Sequence, residues 1–171
     1  MLGGMSDFHL AQFNFARLRA PLDAPEMAGF LALRDPLNAL AEGTPGYVWR
    51  PVSPVEGADE WPYGPDVLIN YSVWESRETL WEYAYRSGHL EAMRRRREWF
   101  ERAAEVYQVL WWIPAGHRPG PDECVERLEL LRREGPGPRA FTFRTPYTAA
   151  EAARAEAEHA TITQLDAARA G

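Results

Sequence analysis

At 171 residues, with 46% hydrophobic, 26% charged and 12% aromatic residues, the chain suits one domain with a proper core and is too apolar for disorder over most of its length. A net charge of -6 argues against a nucleic-acid binder, and because all 19 basic residues are arginine, Schiff-base and lysine-nucleophile chemistry is excluded. The single Cys124 can form neither an internal disulfide nor a zinc site alone, no apolar run approaches the roughly 18 residues of a membrane span, and "MLGGMSDFHLAQF" lacks the head of a signal peptide; the expectation is a cytoplasmic protein without membrane partners.

Phe8 to Ala16 alternates Phe8, Leu10, Gln12, Asn14 against His9, Ala11, Phe13, Phe15, which predicts a strand. From Pro25, the apolar positions Met27, Phe30, Leu31, Leu37 and Leu40 predict a helix closing on Gly43, bent or restarted at Asp35-Pro36. "GYVWRPV" is a short second strand, and "SPVEGADEWPYGPD" a loop. The clearest strand is Val67 to Trp74, with Val67, Ile69, Tyr71 and Val73 on one face and Leu68, Asn70, Ser72 and Trp74 on the other. Ser76 caps a helix, "RETLWEYAYR", that stops at Ser87-Gly88, and a second helix begins near His89. "YQVLWWIP" is a fourth strand, "PDECVERLELLRREGP" a short amphipathic helix, and "AFTFR" a candidate extra edge strand. The alanine-rich stretch from Thr148 reads as a helical arm with little core of its own, so the domain is placed at 1–147 and the tail at 148–171.

Strand, helix, strand, strand, helix, strand is the βαββαβ order of the ferredoxin-like α+β unit, one antiparallel sheet with both helices on a single face. The other face would then be bare. A second copy is expected to cover it, two sheets closing into a barrel around a cavity, which makes the chain a homodimer that takes a small-molecule ligand.

The helix in "YRSGHLEAMRRRREWF" carries a histidine and four consecutive arginines. With His89 at zero and ~100° per residue, Met93 and Phe100 fall at ~40° and ~20° on the buried side, Arg95 at ~240° in water, Arg97 at ~80° inside the apolar arc, and Arg96 at ~340° beside His89. Arg94 and Arg95 read as a solvated face. Arg97 is the arginine expected to point inward, where it needs an acid, a carbonyl or a ligand.

On the strand faces, Gln12, Asn14, Asn70, Ser72 and Trp74 supply polar groups among aromatics, which a ligand pocket requires, and Tyr85 is grouped with them. Asn14 and Asn70 also suit a plain role at strand ends. Trp111 and Trp112 point to opposite faces, one core and one free to stack on a planar ligand; Trp111 is the one carried as a site residue. His117, on the turn of "PAGHRP", is carried as a further candidate, while His9 and His159 look incidental. No metal-ligand spacing, GxGxxG, Walker loop or GxSxG elbow is present, so no metal or nucleotide cofactor is expected.

"HLAQFNFARLRAPLDAPEMAGF", "NALAEGTPGYVWR", "YRSGHLEAMRRRREWF" and "LWWIPAGHRPGPDECVERLELLRREGPGPRAFTFR" resemble a bacterial family of uncharacterised proteins, domain of unknown function 3291, of the dimeric α+β barrel superfamily. The resemblance runs from about His9 to Arg144. It implies the same dimer and cavity, and a choice among antibiotic-biosynthesis-type monooxygenases, haem-degrading enzymes, cyclases, isomerases and stress-response proteins. His89 resembles in position the helical histidine that ligates iron in the haem-degrading relatives and assists at the substrate in the monooxygenases. The expectation is an enzyme on a planar or conjugated substrate, monooxygenase-like or cyclase/isomerase-like. In it His89 moves a proton, Arg97 holds developing negative charge, and Asn14 and Asn70 orient the substrate. The alternatives are a non-catalytic ligand-binding or stress-related barrel, in which His89 caps or packs, and a haem protein with His89 as axial ligand.

Overall fold

The computed structural model describes residues 7–52 and 61–170. Four strands, β1 (Phe8–Arg17), β2 (Tyr47–Trp49), β3 (Val67–Trp74) and β4 (Gln108–Pro114), form one antiparallel sheet in the order β2-β3-β1-β4. Helix α1 (Ala28–Glu42) joins β1 to β2, and α2 (Arg77–Arg86) with α3 (His89–Arg95) joins β3 to β4. This is the ferredoxin-like α+β unit expected from the strand order. Two further helices, α4 (Pro121–Glu134) and α5 (Ala149–Ala170), follow it. Among the described residues no helix is long and apolar enough to cross a membrane.

Local chemistry sets most boundaries. Ser76 and Thr79 form a reciprocal cap at the start of α2, each side chain serving the other's backbone N–H. Gly46, at φ +87°, makes the turn into β2 where any Cβ would lie 2.3 Å from Thr79 Cγ2, so only glycine fits. Helix α1 does not restart at Pro36 but runs through it. Pro36 has no N–H for the carbonyl of Ala32, and both residues are exposed, so water can donate to that carbonyl instead. "AFTFR" makes isolated bridges and no strand: Ala140 bridges Gly137, and Phe141 exchanges both backbone hydrogen bonds with Leu110, at 2.8 and 2.9 Å. The prolines and glycines of "GPGPR" before it and the proline of "RTP" after it prevent a longer ladder.

The two faces of the sheet meet different partners. Ala11, Phe13, Ile69, Val73, Val109, Trp111 and Ile113 pack with Trp61 and with Cys124, Leu128 and Leu131 of α4. Leu10, Trp74 and Leu110 face the other way, toward Ala41 of α1, Leu80 of α2 and Phe141. The face opposite α1 to α3 is therefore not bare. Helix α4 lies on it through the apolar stripe of Cys124, Leu128 and Leu131, and acids in its first turn (Asp122, Glu123) and arginines in its last (Arg132, Arg133) suit its dipole. Each large aromatic buried there removes about 150–250 Å² from water, worth a few kcal/mol at ~25 cal/mol per Å². That burial removes the reason given above for a homodimer, since a pairing through this face would have to displace α4.

The tail is also less separate than its composition implies. Thr148 caps α5 through Glu151, Ala152 is buried, and Glu156 pairs with both Arg127 and Arg139. The first two turns of α5 thus belong to the body, and the helix is exposed from Ala157 to Arg169.

Candidate functional site

A cavity of about 460 Å³ lies between the Leu10–Trp74 face of the sheet and helices α1, α2 and α3, wholly within one chain. Its floor is graded by strand register. Ala16 and Leu68 form one row; Asn70, Asn14 and Gln108 stand side by side across three strands in the next; Ser72 and Gln12 follow, and Trp74 closes the floor, while Leu10, Leu110 and Trp112, in register with the last rows, do not line the cavity. The polar rows thus lie between an apolar row, Ala16 and Leu68, and Trp74 at the other end.

The middle row is held by its own hydrogen bonds. Gln12 and Ser72 are buried, and Gln12 Nε2 donates to Ser72 Oγ at 3.0 Å, as does Trp74 Nε1 at 2.9 Å. Asn14 Nδ2 donates to Gln12 Oε1 at 2.8 Å. Burying an amide and a hydroxyl unpaired would cost about 1–3 kcal/mol each, so this network is a condition of having a polar floor at all. It also leaves groups over. Ser72 Oγ accepts twice and keeps its own hydrogen, and the Asn70 and Gln108 side-chain N–H groups donate to no described residue.

His89 lines the cavity at the start of α3. The Ser87 hydroxyl accepts from the His89 backbone N–H at 3.2 Å and donates to the Tyr83 carbonyl, which fixes the turn between α2 and α3. His89 Nδ1 lies 3.2 Å from the Ala84 carbonyl. A carbonyl can only accept, so Nδ1 carries the proton and Nε2 keeps a lone pair that no described residue uses. The ring packs 4.8 Å from Tyr83, which stacks 5.1 Å from Trp74 and donates its hydroxyl to the Leu37 carbonyl. Burial holds the imidazole below its ordinary pKa, with the Ala84 carbonyl opposing more weakly, so His89 is neutral at pH 7. Burial pushes the Tyr83 phenol up to about 12.

Gln12, Asn14, Asn70, Ser72, Trp74, Tyr85 and His89 all line this cavity. Three other expected site residues do not. Arg97 is exposed and gives its backbone carbonyl to Arg19 Nη1 at 2.6 Å. The wheel assumed a continuous α-helix, whereas α3 ends at Arg95 and tightens into a 3-10 turn over Arg96–Glu98, which rotates Arg97 outward. Arg96 takes the inward place: Nη1 donates to the Tyr107 hydroxyl at 2.9 Å, with the guanidinium 5.1 Å above that ring. Arg94 and Arg95 pair with Glu91 and Glu98 on the surface. Trp111 belongs to the α4 face, fully buried, with Nε1 donating to Glu123 Oε1 at 2.8 Å. Trp112 is on the cavity's face, but it gives its Nε1 hydrogen to the Tyr147 carbonyl and packs under Phe143 and Tyr147. His117 sits outside with α4, its Nε2 2.7 Å from Glu123 Oε2.

The sequence had placed Arg96 beside His89 on the wheel, and that signal was sufficient to find it. Nothing in the sequence marked Tyr107, whose role comes from Arg96 lying over it. Among the described residues there is no group of three or more His, Cys, Asp or Glu able to hold a metal. An imidazole with Nδ1 on a carbonyl and Nε2 unused also has the form of a haem ligand, and His89 is the residue here that would serve.

Fold and site together define an α+β protein of ferredoxin-like topology with a ligand-sized, polar-floored cavity between sheet and helices. Residues 9–158 match the family model "Domain of unknown function (DUF3291)", and the chain belongs to that family. No curated protein matches it. Among solved structures it is similar to a protein of unknown function from Nitrosomonas europaea, at 15% identity over 67% of this chain and 96% of that one, with a TM-score of 0.41. It is also similar to a chain described as a "putative Antibiotic biosynthesis monooxygenase" from Chloroflexus aurantiacus, at 18% identity over 66% of this chain and 97% of that one, with a TM-score of 0.33. Likenesses at this level carry no argument about chemistry.

Proposed function

We propose that the protein is an enzyme that removes a proton from a planar, conjugated small molecule bound in the cavity, with His89 Nε2 as the base. The observation that carries this reading is the His89 Nδ1 contact with the Ala84 carbonyl, which fixes the tautomer and leaves one basic nitrogen for a ligand. The lowered pKa supports it, because the base form then persists below the ordinary range. The walls are aromatic, including Trp74, Tyr83 and Phe143, and suit a flat substrate, while Asn14 and Asn70 offer hydrogen bonds to orient it. In the proposed step an acidic C–H or O–H bond of the substrate breaks, the proton goes to His89 Nε2, and the electron pair spreads into the conjugated system. Monooxygenase-like and cyclase/isomerase-like reactions can both begin this way.

Kemp elimination of nitrobenzisoxazole tests the base directly: a base takes the ring C–H proton, the N–O bond breaks, and a coloured cyanophenolate is released. Turnover above that of free imidazole is expected, falling by about 10²-fold or more in His89→Ala. Turnover equal to free imidazole, or unaffected by His89→Ala, favours the non-catalytic binding protein and sinks the enzymatic reading. The homodimer is a separate proposal. The cavity is complete in one chain, so a monomer by sedimentation removes the dimer and leaves this reading of the site intact.

A further inference from the structure

Three arginines line the cavity: Arg34, Arg50 and Arg96. Arg34 pairs with Asp35 at 3.2 Å and Arg50 with Glu42 at 2.7 Å. Arg96 has no carboxylate within ion-pair distance among the described residues. Its only hydrogen-bond partner there is the Tyr107 hydroxyl, which spends one of five guanidinium N–H groups. A half-buried guanidinium that faces a cavity without a counter-charge has lost part of its hydration and lacks the partner that would replace it.

We infer that the ligand is an anion, a carboxylate-bearing aromatic of two fused rings, held at its charged end by Arg96 and Tyr107. This deepens the reading of the cavity given above and rests on it. Arg96 offers four remaining N–H groups, oriented because the guanidinium is already stacked on the Tyr107 ring. Tyr107 uses its oxygen to accept from Arg96, so its own hydrogen is available to the same anion. Tyr107 directly precedes Gln108 of the amide row, which puts the charged end of the ligand beside those amides. Its rings then extend toward the aromatic walls of Trp74 and Tyr83. His89 and Arg96 are seven residues apart along one helical segment, a rise of about 10 Å at ~1.5 Å per residue. A bicyclic carboxylate spans that length, so one molecule can meet both groups.

Naphthoate and its neutral isostere naphthamide, titrated against the full chain with tryptophan fluorescence as readout, test the charge directly. Wild type is expected to bind naphthoate about tenfold or more tightly than naphthamide. Arg96→Gln should abolish that preference while keeping naphthamide affinity, Arg97→Gln should keep it, and Tyr107→Phe should reduce it severalfold. His89→Ala should leave it in place, so a failure of the proton-transfer reading is distinguishable from a failure of this one. Equal affinity for the two probes in wild type, no naphthoate binding at millimolar concentration, or a preference that survives Arg96→Gln overturns the inference. Should Arg96→Gln not fold, the wild-type comparison and Tyr107→Phe still decide it.

Discussion

The two faces of the sheet are made by the same strands and alternate residue by residue, yet they have come to opposite uses. On the α4 side, Phe13, Val73, Val109 and Trp111 are shut away from water in the packed core. On the α1–α3 side, the same strands place Gln12 and Ser72 in equally dry surroundings, and beyond them a cavity opens. The difference lies in what each face needs from its cover. An apolar face is satisfied by any complementary apolar helix, and α4 supplies one. A face with amides and hydroxyls is satisfied only by hydrogen bonds, which the strands make among themselves, leaving the helices to stand off and enclose space.

The comparison breaks most visibly at Trp111. Trp111→Ala should cost roughly 3–5 kcal/mol in a denaturant titration, with ligand affinity unchanged in whatever fraction remains folded. A loss confined to binding would put Trp111 on the wrong face. Gln12→Ala should cost less, about 1–3 kcal/mol, since it strips Asn14 of its acceptor and Ser72 of a donor; unlike the first variant it should also weaken naphthoate binding. If its stability loss matches that of Trp111→Ala, the polar floor is structural core and not a site.

pH separates the faces in a different way. The folded pKa of His89 lies below its unfolded value near 6.5. As pH falls through that window the unfolded chain takes up the proton first, so this group's contribution to stability is full above about pH 6.5 and declines below it. Melting temperatures of wild type should therefore fall more between pH 7 and pH 5 than those of His89→Ala, and Kemp turnover should hold to a lower pH than free imidazole does. The smallest effect is expected at Arg97. Arg97→Ala should stay within about 0.5 kcal/mol of wild type and leave binding untouched, and a larger change in either would return Arg97 to the site.

Much of the cavity's floor was legible because a strand's faces follow from parity alone: once Gln12 and Asn14 share a face, and Asn70, Ser72 and Trp74 share another, register only has to bring the two together. His89 was legible through the Ser87-Gly88 break that starts α3. Arg97, Trp111 and His117 were misplaced for separate reasons. Arg97 depended on a helix keeping its pitch for one more turn. Trp111 and Trp112 differ only in which face a neighbouring helix takes. His117 depended on where α4, outside the βαββαβ pattern, would dock.

The sequence by itself determined the four strands, their alternation, the capped start of α2 and the ferredoxin-like order, because propensity, periodicity and capping act between residues near one another along the chain. It also put Arg96 on the histidine's side of the helix. Only the tertiary structure decided that α4 would cover the face left by the first three helices, that the cavity would lie inside one chain, and that Arg96 would meet Tyr107 while Arg97 turned to solvent. Those outcomes depend on which surfaces exclude water from one another at long range. Periodicity identifies the apolar stripes of α1 and α4 equally well and does not say which side of the sheet each will bury.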